Sequence, residues 1–235
     1  MTDQHLSSQY ENELHVVSAQ LIELGQRVDK QIFQAIDALA HSNAEGARQV
    51  LAAEAAVNAL EVEIDHEITS IIARRQPTAR DLRLLMAISK ASSNLERVGN
   101  EADWMALKVL AFIGRGAPGA LPLQKLSAAA KLKTDLLSRA LKAFAQLDLP
   151  AAVAVIKEYE LGYGVVDEIV GQLVNDLIEN PRKTSSCLEV ISLAKSLELI
   201  VDHAKHIAEL VIYVVHGADV RHAPVEQIES LVKQG

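Results

Sequence analysis

Apolar residues recur at steps of three and four along nearly the whole chain, the period that gathers them on one stripe of an α-helix. From about Ser8 to Ala40 the stripe runs through Leu14, Val17, Leu21, Leu24, Val28, Ile32, Ala35 and Leu39, which predicts a long bundle helix. Ser42 and Glu45 match a capping box, so a second helix is expected from near Asn43. It carries Val50, Val57, Leu60, Ile64, Ile68, Ile71 and Ile72 up to a turn at Gln76 and Pro77. Pro77 biases Gln76 away from helical angles. Thr78 then caps a third helix, with Asp81 near its positive end, that continues to about Ile113.

Ile113 to Pro122 concentrates three glycines and two prolines, the strongest break in the chain, and divides it into expected units 1–115 and 116–235. Beyond the break we expect a fourth helix over Leu123 to Leu147 and a fifth from Asp148 and Pro150 to Asn180. A sixth should run from a Ser186–Glu189 capping box to Gly217, a natural left-handed stop. Val225, Ile228 and Leu231 suit one more short helix. The halves repeat: a shift of 102 places Ile64, Ile68, Ile71 and Ile72 on Val166, Val170, Leu173 and Val174, and Leu95 and Glu96 on Leu197 and Glu198. The expected fold is all-α, two tandem three-helix bundles of six long helices with short turns between antiparallel neighbours.

Composition agrees. Over 235 residues, 49% are apolar but only 3% aromatic, enough for a sizeable core and typical of long helices rather than a sandwich or barrel. A net charge of −8 opposes nonspecific binding to nucleic acid, which requires an excess of Lys and Arg. The single cysteine, Cys187, has no partner for an internal disulfide. Met1 to Asn12 lacks an apolar signal core, so the cytoplasm is the expected address. The longest strongly apolar run, Leu210 to Val215, is far too short to cross a bilayer, and any membrane association is expected to come through partners.

Polar residues at helical spacing supply the candidate chemistry. Glu54, Asn58, Glu61 and Asp65 share one stripe of the second helix, and Glu96, Asn100 and Asp103 share one on the third. In the sixth, Glu198, Asp202, His206 and Glu209 do the same. Such stripes form oxygen-rich surfaces suited to cations, or simply a solvated face. A carboxylate-bridged di-iron enzyme needs two Glu-x-x-His pairs, and the chain has only Glu63 with His66. His203 and His206 with Asp202 could bind zinc, but histidines on a surface are the commoner case. No nucleophile with its base, phosphate loop or dinucleotide fingerprint is present, and no enzymatic activity is expected. Arg74, Arg75, Arg80 and Arg83 crowd the Pro77 turn, either complementing helix dipoles or forming a docking tip for an acidic partner.

The stretches IIARRQPTARDLRLLMAISKASSNLERVGNEAD and IYVVHGADVRH resemble the PhoU family of accessory proteins of bacterial phosphate uptake. The likeness runs from His5 to His222. It implies a non-enzymatic, homodimeric adaptor between the phosphate transporter ATPase subunit and a phosphate-sensing histidine kinase, acting as a negative regulator of the phosphate-starvation response. The alternative is a metal-binding helical protein that stores or buffers divalent ions.

The resemblance also implies metal clusters held by paired acidic motifs on the bundle surface. Glu61, Asp65 and Glu96 match in the first half, and Asp167, Glu198 and Asp202 in the second. Asn100 and Tyr163 stand at positions that are acidic in the family, and Glu198-Leu-Ile-Val-Asp202 replaces Glu-Arg-x-Gly-Asp. Each loss removes a charge and a bridging ligand. The expectation is a divalent or iron-type metal ion, weakly held, or none.

Overall fold

The structure, a computed structural model, describes residues 2–114, 123–162, 164–179 and 184–234. Among these residues there are eight helices and no strand: α1 (Thr2–His41), α2 (Ala44–Arg75), α3 (Ala79–Gly114), α4 (Leu123–Gln146), α5 (Leu149–Glu160), α6 (Gly164–Glu179), α7 (Thr184–His216) and α8 (Val225–Gln234). The expected boundary between the two units falls on residues 115–122, outside the described residues.

The turns follow from local chemistry, with three corrections. Ser42 does not cap α2. It sits at φ 51, just past the end of α1, and Asn43 is the cap, its side chain accepting from Gly46 N at 3.0 Å. A residue in the left-handed region ends the first helix and cannot also start the second. The expected fifth helix is two helices. Gly162 takes φ 71, where a side chain would be strained, and its N–H bonds the Tyr159 carbonyl, which closes α5. Apolar residues keep helical spacing across this break, so periodicity alone hides it. Finally, α7 starts at Thr184, which leaves Ser186 inside its first turn rather than capping it. Three other ends follow expectation: Gln76 at φ 49, Asp148 accepting from Ala151 N at 3.0 Å, and Gly217 at φ 75.

The first half packs α1, α2 and α3 against one another, and the second packs α4, α5 and α6 around α7, with α8 on α5. The halves join through α3 against α7 and α1 against α4, and a single continuous core spans both. Close approach is needed at the second contact: a Cβ at Gly25 would lie 2.8 Å from Leu141. At the first, Arg83 Nε donates to the Val214 carbonyl (3.1 Å), His203 Nδ1 meets Asn94 Oδ1 (2.8 Å) and Ser196 Oγ donates to Glu101 (2.5 Å). Residue numbers rise on α3 as they fall on α7, so the two helices run antiparallel.

Candidate functional site

Each half carries an acidic cluster, and the two are built differently. In the first, α2 presents Glu61 and Asp65 beside Glu96 of α3. Burial, and then the neighbouring charges of Asp65 and Glu96, raise the Glu61 pKa. Two serines of α3 serve them: Ser89 Oγ donates to Asp65 (2.8 Å) and Ser93 Oγ to Glu61 (3.3 Å). Asn100 Nδ2 donates to Glu96 (2.7 Å). The amide therefore engages its neighbour as a donor, where a carboxylate would have offered a further ligand.

In the second cluster Asp167 of α6 and Glu198 and Asp202 of α7 surround Lys133 of α4, whose residue is only 3% exposed. Burial lowers the Lys133 pKa, and the three carboxylates oppose that shift, in the order Glu198, Asp167, Asp202. Tyr159 Oη donates to Asp202 (2.8 Å), and burial with this bond pushes the phenol up to about 12. The Lys133 ammonium provides the positive charge that a metal would bring. Lys133 carries a signal in the sequence: it interrupts the apolar stripe Leu126, Ala129, Ala130, Leu136, Leu137 at helical spacing. Tyr163 lies outside the described residues.

The charges acting on Glu61 are those of Asp65 and Glu96, whereas the second cluster holds a lysine among its carboxylates. Among the described residues, no group of three or more His, Cys, Asp or Glu is placed to hold a metal ion.

Asp103 does not join the surface stripe. It is 5% exposed, and burial, then a proton shared in a hydrogen bond with Glu54 of α2, pushes its pKa up to about 8. Three and seven positions beyond Asn100 and Glu96, its side chain meets Glu54 of α2 instead. The arginine tip is also less free than expected. Arg75 forks onto Glu13 (2.7 and 2.9 Å), Arg74 reaches the same carboxylate (3.0 Å), and Arg83 is drawn to the end of α7; Arg80 alone is exposed with no ion pair among the described residues. The partner, Glu13, lies more than sixty residues earlier, beyond the reach of local sequence reading. His203 and His206 stack edge to face at 6.1 Å rather than converging on a common point.

The PhoU domain model matches residues 21–109 and again 126–211. The chain is 41% identical over 229 residues to a Burkholderia protein called phosphate-specific transport system accessory protein PhoU homolog, covering 97% of each. It is 34% identical to the Escherichia coli protein called phosphate-specific transport system accessory protein PhoU, covering 98% of this chain and 95% of that one. The crystal structure of PhoU from Pseudomonas aeruginosa superposes with a TM-score of 0.81 at 35% identity, covering 89% of this chain and all of the other.

Proposed function

Because this chain belongs to the PhoU family, we propose that it is a non-enzymatic regulator of phosphate uptake, an adaptor between the phosphate transporter ATPase subunit and the phosphate-sensing histidine kinase. In this reading it represses the starvation response when phosphate is plentiful. The observation that carries the proposal is likeness over nearly the whole length of this chain and of its relatives to proteins called phosphate transport accessory proteins. Among the described residues no helix is long and apolar enough to cross a membrane, which suits a cytoplasmic protein that meets the membrane through partners. The test is deletion of the gene with a phosphate-starvation reporter, joined to affinity capture of the transporter ATPase and kinase from cells grown in high and low phosphate. Reporters still silent in rich phosphate after deletion would refute it. Homodimerisation is part of the proposal and is read by sedimentation equilibrium.

A second reading, divalent-ion storage, draws on the mutual influence of the Glu61, Asp65 and Glu96 charges. It places one weakly held divalent or iron-type ion there and none at the Lys133 cluster. Calorimetric titration of chelator-treated protein with Mg, Mn, Fe and Zn decides it: no saturable heat removes it.

A further inference from the structure

A cleft of about 490 Å³ opens where α3 crosses α7 and the segment after Gly217 folds back. Its charged lining is Lys90 and Arg97 from α3, Glu209 from α7, and Asp219 with Arg221 from the following segment. Arg221 is committed to Asp219 (2.6 and 2.9 Å). Arg97 is exposed and makes no hydrogen bond or ion pair among the described residues, and Lys90 rests over the Tyr213 ring at 5.3 Å. Glu209 is the anomaly. It is 3% exposed, both its oxygens lack a hydrogen-bond partner, and Lys205 Nζ comes no nearer than 4.0 Å.

The fold does not require these charges. The repeat shift of 102 carries Arg97 onto Leu199, Glu209 onto Leu107 and Lys90 onto Ser192. Leu199 and Leu107 are 43% and 53% exposed, so the same helix pair is built at the equivalent positions without a single ion. A buried carboxylate without a donor is costly, and its burial pushes the Glu209 pKa up to about 7. A ligand that brings an O–H to Glu209 and negative charge to Arg97 and Lys90 would satisfy all three groups.

We infer that this cleft binds inorganic phosphate, with Arg97 and Lys90 facing its charge and the Glu209 carboxylate accepting the hydrogen bond from its remaining O–H. Sulfate has no such hydrogen and, above about pH 7 where Glu209 is ionised, meets it as a like charge. A phosphate monoester, largely a dianion without that proton above about pH 6, is disfavoured for the same reason. The choice of phosphate rests on the proposed role in phosphate uptake; the recognition chemistry rests on the cleft.

The test is calorimetric titration of the full chain with inorganic phosphate, sulfate and adenosine monophosphate at matched ionic strength. Phosphate is expected to give saturable heat and to bind at least about tenfold tighter than the other two, the scale of one charge-assisted hydrogen bond. Arg97→Ala and Lys90→Ala, both at exposed positions that leave the core intact, should weaken phosphate about tenfold or more. Leu199→Ala should leave it unchanged. Glu209→Gln, whose amide can donate, should let sulfate bind as well as phosphate does. Absence of saturable phosphate heat, equal affinity for sulfate or adenosine monophosphate, or full affinity in Arg97→Ala would overturn the inference. These titrations report on the cleft alone, whereas the deletion phenotype reports on the regulatory role, so either can fail without the other.

Discussion

Asn94 and His203 meet across the two halves at 2.8 Å, and the repeat shift of 102 converts this pair into Ser196 and Glu101, which meet at 2.5 Å. One interface contact is thus the symmetry mate of the other. The α3–α7 packing has the self-complementary logic of a twofold dimer interface, written into a single chain. Both contacts are polar, yet they use different residues, so each repeat has diverged while keeping the position.

His203 makes this contact sensitive to acid. Burial pushes its pKa down to about 4, so the native ring stays neutral, with Nδ1 carrying the hydrogen toward Asn94 Oδ1. In the unfolded chain the ring protonates near 6.5. Its contribution is therefore present above that value and is lost as pH falls from 6.5 to about 4. Urea denaturation at a series of pH values should show a loss on the order of 1 to 3 kcal/mol over this window, and His203→Gln should flatten that part of the profile.

Asp103 works in the opposite direction. Its native pKa, raised to about 8 by burial, exceeds the unfolded value, so stability is highest at low pH and falls as pH rises from about 4 through 8. Asp103→Asn keeps the shape and removes the ionisation. We expect the variant to be more stable than the parent by roughly 1 to 3 kcal/mol at pH 9 and close to it at pH 5. Thermal melts at the two pH values compare them directly.

Lys133 should control metal affinity in the second half. Lys133→Met removes the buried cation and leaves Asp167, Glu198 and Asp202 facing one another, which lowers the melting temperature through like-charge repulsion. Added Mn²⁺ should restore the melting temperature of Lys133→Met and leave the parent's second cluster unaffected. A variant insensitive to Mn²⁺ would show that the lysine does not stand in for a metal.

Leu95 and Leu197 occupy equivalent positions and are both fully buried in one continuous core. Replacing either by Ala should cost about 2 to 5 kcal/mol. Because the core spans both halves, each variant should still unfold in a single calorimetric transition, shifted down. A second transition confined to one variant would mean that the halves unfold independently.

Much of the fold is legible in the spacing of apolar residues. Leu85, Ile88, Leu95, Val98 and their partners at the 102 shift are buried in both copies, because a helix that must bury one stripe repeats an apolar side chain at every turn. The break at Gly162 escaped this reading, since a left-handed glycine interrupts the backbone without interrupting the pattern around it. At the candidate site, the spacing placed Glu61 and Asp65 on one face and Glu96 on its neighbour, and the charges of Asp65 and Glu96 both act on Glu61.

The helical period, the repeat and the acidic stripes belong to the sequence alone, because they depend on residues within a few turns of one another. Which charges are answered was decided only in three dimensions. Glu13 neutralises Arg74 and Arg75, Lys133 enters the second acidic cluster, and Asp103 is sealed from water while Asn100, one turn away, is not. Each outcome depends on where a distant helix lies. Burial and ion pairing are sums over contacts between helices far apart in the chain, and no local pattern encodes them.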